Sequence, residues 1–150
     1  MPSLLAPIGT RLWRWWGTGE RTLLWVLLNP STANAHEDDA TLRRCIQFSR
    51  REGYERLAIV NLFALRATHP KELTREADPV GPRCDHSIRQ ACVQAQAIIV
   101  GWGTGGTLGE HDRAVLDMLP RPLLCFGRTS NGSPRHPLYL KRDTALQLYL

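Results

Sequence analysis

Lysine is nearly missing from this chain. Of its 19 basic residues only Lys71 and Lys141 are lysines, and the rest are arginines. Long apolar runs are missing too: the longest, Leu23 to Leu28, is six residues, against the ~20 that a membrane-spanning helix needs. No basic–apolar–small leader opens the chain, which argues against secretion. The four cysteines, Cys45, Cys84, Cys92 and Cys125, include no C-x-x-C pair. That argues against a zinc site and against a disulfide framework, and they read as buried thiols in a reducing, cytoplasmic compartment. Repeats and low-complexity segments are absent, and no G-K-[ST] is present to close a phosphate-binding loop. His36, His69, His86 and His111 lack metal-ligand spacing and read as surface residues.

What is present suits one folded domain spanning 1–150, with 43% hydrophobic and 22% charged residues and enough length for a single core. The formal charge of +5 points to an anionic partner, nucleic acid first, although an arginine-rich genome alone would give the same balance.

Element types alternate along the chain. Arg11 to Trp16 and Thr22 to Leu28 flank Gly17-Thr18-Gly19-Glu20, which predicts a hairpin with a glycine turn. Thr22 to Leu28 is apolar throughout, as in a strand buried on both faces. Asp38 or Asp39 can cap a helix running to about Arg51, with Leu42, Cys45, Ile46 and Ser49 inward and Gly53 ending it. Leu57 to Leu62 is a second buried strand, and Thr68 to Arg83 a charged, proline-rich loop. Cys84 to Gln96 predicts a helix with Ile88, Cys92 and Val93 inward. Ala97 to Val100 is a third strand, Arg113 to Leu119 a short helix, Leu123 to Phe126 a fourth strand and Gly127 to His136 a polar loop. The fold class is therefore α/β: a three-layer α/β/α sandwich around a mostly parallel four-stranded sheet, plus the hairpin. Ligands bind such sheets at the strands' carboxyl ends, where Asn29-Pro30, Asn61, Trp102 and His136-Pro137 fall.

Each candidate motif has a simpler reading beside it. Gly101 to Gly106 satisfies G-x-G-x-x-G after a strand, but no helix obviously starts at Thr104 and too little chain follows for a dinucleotide unit; close backbone approach explains the glycines better. Asn29-Pro30 is a turn, or a polar pocket floor with Ser31, Thr32 and Ala33. Asn61, an amide in an apolar run, is costly to bury without partners; it bonds backbone, or it reads a nucleobase edge. Thr129, Ser130, Asn131, Ser133 and Arg135 offer hydroxyls, an amide and a guanidinium to phosphates. Asp38-Asp39 is most simply an N-cap, though Asp39 also stands close enough in sequence to Asn29 to assist chemistry.

In this order the pieces resemble the uracil-DNA glycosylase superfamily. The matching segments are Leu28-Asn29-Pro30-Ser31, Ile59-Val60-Asn61-Leu62, Val100-Gly101-Trp102-Gly103 and His136-Pro137-Leu138. The chain is also similar to a bacterial and phage family with an N-P-S-T segment and an H-P-L-Y-L ending. The resemblance implies a DNA glycosylase that flips out a nucleotide and hydrolyses its N-glycosidic bond, without cofactor or metal, as a monomer. Asn29 would hold the attacking water, with Asp39 assisting; Asn61 would bond the base edge; His136 would stabilise charge developing on the pyrimidine O2. Pro30, Ser31 and Trp102 would complete the base-binding set, with Phe48 or Phe63 stacking on the base. Leu138 or Tyr139 would wedge into the duplex.

Two departures shape the expected specificity. Uracil-specific members carry Asp-Pro-Tyr where this chain has Asn-Pro-Ser, so Asn29 cannot act as general base and Ser31 leaves room at pyrimidine C5. That implies excision of a 5-modified pyrimidine, such as hydroxymethyl or glycosylated cytosine, and with it antiphage defence. With two lysines, neither inside a motif, a monofunctional enzyme leaving abasic sites is expected. A non-catalytic DNA-binding module of this fold and a hydrolase of modified nucleosides or nucleotides remain the competing readings.

Overall fold

The structure is a computed structural model that describes residues 11–28, 38–62 and 84–150. Its six strands are β1 (Leu12–Trp15), β2 (Thr22–Leu27), β3 (Arg56–Asn61), β4 (Ala97–Val100), β5 (Leu124–Cys125) and β6 (Gln147–Leu148); its α-helices are α1 (Ala40–Arg51), α2 (Cys84–Gln94) and α3 (His111–Met118). They form an α/β fold on a mixed six-stranded sheet of order β1-β3-β2-β4-β5-β6.

β2 sits at the centre because every one of its residues is apolar or small, and all are buried. It runs parallel to β3 on one side and to β4 on the other. β5 continues the parallel set beside β4. Side chains alternate between the two faces. Leu23, Trp25, Leu27, Leu57, Ile59 and Ile99 pack beneath Leu42, Cys45 and Phe48 of α1. Leu24, Val26, Ala58, Val60, Ile98 and Val100 pack with Ile88 and Ala91 of α2 and Val115 of α3 on the other face.

α1 forms where its caps and apolar spacing demand it. Asp39 caps it, its Oδ1 accepting from Leu42 N at 2.9 Å, and Gly53 leaves it at φ +87°. Beneath α1 the Trp25 indole N–H donates to Ser49 Oγ at 2.9 Å, and that hydroxyl donates to Cys45 O at 2.7 Å. This chain satisfies polar groups that would otherwise be costly in the core. Burial also pushes the Cys45 thiol pKa up, helped by the Asp39 charge.

The expected hairpin is corrected. β1 does not pair with β2; it lies antiparallel to β3, with Leu12 opposite Ile59 and Trp15 opposite Arg56. Both flanks of the buried β2 are taken by parallel neighbours, so β1 can add only at the edge. The glycine segment serves that detour: a Cβ on Gly19 would stand 2.7 Å from Glu55 Oε1, and Trp16 N donates to Glu55 O at 3.1 Å. Other expectations shift in detail. Val93 is 86% exposed while Ala91 faces inward. A 3-10 segment does open at Thr104, running to Glu110 ahead of α3. β6, antiparallel to β5, has no counterpart in the sequence reading.

Candidate functional site at the carboxyl ends of the strands

The parallel strands β2, β3 and β4 end together at Leu27, Asn61 and Val100. α1, which follows β2 in sequence, and α3, which follows β4, pack on opposite faces of the sheet, so the connections reverse between the carboxyl ends of these two strands, the crevice position of such sheets. This is the switch point where sheets of this kind take ligands.

The loop after β5 is built to return to that point. Its limbs are tied by Arg135 N to Gly127 O at 2.9 Å and Thr129 N to Ser133 O at 2.7 Å. Gly127 and Gly132, at φ +110° and +83°, take the left-handed turns. Gly103 N then donates to Pro134 O at 2.8 Å. At Gly101 a Cβ would stand 3.3 Å from Arg135 O, 3.4 Å from Leu27 Cδ2 and 3.5 Å from Pro137 Cδ. The first glycine of the run therefore lets the His-Pro segment lie directly on the ends of β2 and β4. The last serves another contact: a Cβ on Gly106 would overlap the Trp102 ring, 2.7 Å from its Nε1.

His136 is placed by this packing. It caps a 3-10 turn over Pro137–Tyr139, and its Nδ1 accepts from Leu138 N at 3.2 Å. Burial lowers its pKa from 6.5 to about 4, only partly offset by the Asp39 charge. At neutral pH the ring is uncharged. Because Nδ1 is occupied as an acceptor, the proton sits on Nε2. The residue thus presents a neutral N–H donor.

Asp39 reaches the same end of the sheet because it starts α1, and its charge acts on both His136 and Cys45. Asn61 closes β3 opposite Leu27 and is 7% exposed. The period of two puts it on the face of Leu57 and Ile59, which is the α1 face. His136, Asp39 and Asn61 therefore share one end and one face of the sheet. Asn29, Pro30, Ser31 and Phe63 lie outside the described residues.

The remaining sequence candidates are spread more widely. Phe48 is 2% exposed, packed against Phe126 at 4.5 Å and Trp25 at 6.4 Å. Trp102 is 1% exposed in the cluster on the opposite face, edge-on to Tyr149 at 6.4 Å. Neither ring has an open face in this arrangement. The Thr129 hydroxyl donates to Asn131 Oδ1, and Ser133 N donates to both side-chain oxygens at 3.2 Å. Ser133 is buried, so these groups shape the loop, while Ser130 faces solvent. Arg135 Nη2 donates to Tyr139 O at 3.2 Å. Leu138 and Tyr139 are 38% and 74% exposed, an apolar tip beside the imidazole.

A family model described as Protein of unknown function (DUF1643) matches residues 10–138. The chain belongs to that family. No curated protein and no solved structure matches it. The DUF1643 match takes in Asp39, Asn61, Gly101 and His136 and stops at Leu138.

A clasp that joins this loop to Tyr149, past the matched residues, was not read from sequence. Arg128 lies 4.1 Å from the Tyr149 ring and donates through Nη2 to Tyr149 O at 2.5 Å; the Tyr149 hydroxyl donates to Gly132 O at 3.1 Å. It fastens the His136 loop to the strand that follows. The one available signal was the cation–aromatic pairing of types, which sequence separation hides. Among the described residues, no group of three or more His, Cys, Asp or Glu is placed to hold a metal ion, and no helix is long and apolar enough to cross a membrane.

Proposed function

We propose that the chain is a monofunctional DNA glycosylase, on a uracil-DNA glycosylase-like α/β/α sandwich, that excises a 5-modified pyrimidine. The observation that carries the reading is His136: an imidazole beside the ends of β2 and β4, neutral at pH 7, whose Nδ1 accepts from the Leu138 N–H so that its proton is carried on Nε2. A departing pyrimidine gathers negative charge on O2 as the glycosidic bond breaks. A fixed N–H donor there stabilises that charge, and one such donor supplies ~3–4 kcal/mol.

The rest of the assignment follows the chemistry. Water attacks C1′ as the C1′–N bond breaks; the base leaves with the bonding electrons and takes its proton from water. Asp39, held by its capping bond, supports the positive sugar electrostatically. Asn29 would hold the water and Asn61 the base edge, with Ser31 leaving space for the 5-substituent. The exposed Leu138-Tyr139 tip suits a wedge for the gap left by the flipped nucleotide. Lys141 is exposed, and no lysine stands in the motifs, which supports hydrolysis without strand nicking. Damage to modified invading DNA, as antiphage defence, is the role that fits this specificity.

The test is to incubate the protein with unmodified, uracil-containing and hydroxymethyl- or glucosyl-modified DNA and to identify released bases by mass spectrometry. Free modified pyrimidine, abolished by His136→Ala, is expected. Release of no base from any of the three substrates overturns the reading in favour of a binding module.

A further inference from the structure

Along α1, away from the crevice, lies an open cleft of about 320 Å³ lined by Arg44, Gln47, Phe48, Arg51 and Arg142. Residues 44, 47 and 51 recur at helical spacing and share one face of α1. Arg51 is held in place: its Nε donates to Glu52 Oε2 at 2.9 Å, its Nη1 to Arg142 O at 2.9 Å, and its guanidinium lies 4.9 Å from the Phe48 ring and 5.4 Å from that of Phe126. The side chains of Arg44 and Arg142 make no ion pair or hydrogen bond among the described residues. Three guanidiniums with Glu52 as the one paired carboxylate leave the cleft positively charged. Two of them are uncommitted donors.

The location says which anion fits. A helix rises 1.5 Å per residue, so Arg44 and Arg51 stand roughly 8 and 18 Å along α1 from Asp39, at whose end His136 lies. The segment leaving His136 follows the helix, packing through Pro137–Tyr139 and buried Leu140 before reaching Arg142. At 3.4 Å per step of one duplex strand, that range corresponds to about two to five nucleotides from the crevice.

We propose that this cleft is a phosphate subsite gripping the sugar-phosphate backbone of the DNA strand that flanks the target nucleotide. The proposal rests on the glycosylase reading for its ligand, and its test separates the two. A fluorescein-labelled 20-base-pair duplex is titrated by anisotropy across a salt series with the wild type, Arg142→Gln, the Arg44→Gln/Arg142→Gln pair, and Arg113→Gln. Arg113 is the control: it lies on α3, on the other face of the sheet, opposite Glu110 at 3.7 Å.

The double variant is expected to flatten the log–log salt slope by about 1.8 and Arg142→Gln by about 0.9, one phosphate each, with the control unchanged. Arg44 is partly buried, so urea midpoints are taken alongside; Arg142 is exposed and carries the test alone if the double variant is unstable. Wild-type slopes in the arginine variants, or no binding of the duplex by the wild type, overturn the proposal. Base release is scored separately on the same proteins. Release with unchanged slopes removes the subsite and keeps the enzyme. Arginine-dependent binding without release from any substrate keeps the subsite and removes the enzyme.

Discussion

Protonating His136 should destabilise the fold, and the structure sets the size of the effect. The free imidazole titrates near 6.5, while burial brings the folded one down to about 4. Between those values the unfolded chain binds a proton that the folded chain does not, so stability rises with pH there. The stabilising contribution is complete above pH 6.5 and is lost as pH falls toward 4. For this group alone, moving from pH 7.5 to pH 5 costs about 2 kcal/mol, which shifts a urea midpoint by about 1 M for a slope of about 2 kcal/mol per molar. The clean perturbation is His136→Asn: a short amide oxygen can still accept from Leu138 N as an N-cap, but nothing titrates. Urea unfolding of both proteins at pH 7.5 and 5 should show the wild type losing about 2 kcal/mol more than the variant. Equal losses in the two proteins would refute the neutral, partly buried imidazole on which the site rests.

Further outcomes are expected from single substitutions and from borohydride trapping. Ser49→Ala strands the buried Trp25 indole N–H and should cost about 1–3 kcal/mol by urea denaturation; an unchanged midpoint would mean the indole finds another acceptor. Gly106→Ala forces a methyl onto the fully packed Trp102 ring, for a loss of about 1–3 kcal/mol, whereas Gly132→Ala, with open space but φ +83°, should cost about 1 kcal/mol from backbone strain alone. Asn61→Ala should slow base release from DNA by about 10²-fold or more, as loss of a positioned hydrogen-bonding group does, and borohydride should trap no covalent protein–DNA adduct; a trapped adduct contradicts hydrolysis by water.

How much of this was legible in the sequence depends on how local the cause is. α1 was readable because a carboxylate at Asp39 and the spacing of Leu42, Cys45 and the small Ser49 encode cap and buried face together. β4 was readable because its apolar run ends at a glycine. The β1 placement was not, since pairing partners are chosen by which edges remain free, and the glycine segment looks the same whether it closes a hairpin or starts a detour. β6 is two exposed residues, a strand only because β5 needs a neighbour. At the site, the strand-end rule located Asn61 and His136, while the clasp by Arg128 and Tyr149 joins residues that no local pattern connects. Trp102 illustrates the limit within one strand end. It follows Gly101 by one position, and the period of two sends it to the opposite face from the His136 loop.

The way the sheet finishes bears on what this protein does at high concentration. A parallel core would leave two long rows of unpaired N–H and C=O groups for another copy to extend. Here each border is closed by a short strand running the other way, four residues at β1 and two at β6. Arg14 on β1 is moreover tied to Asp38 at 2.9 Å. Little template is left for a neighbour to extend, so the borders themselves discourage fibre-like stacking.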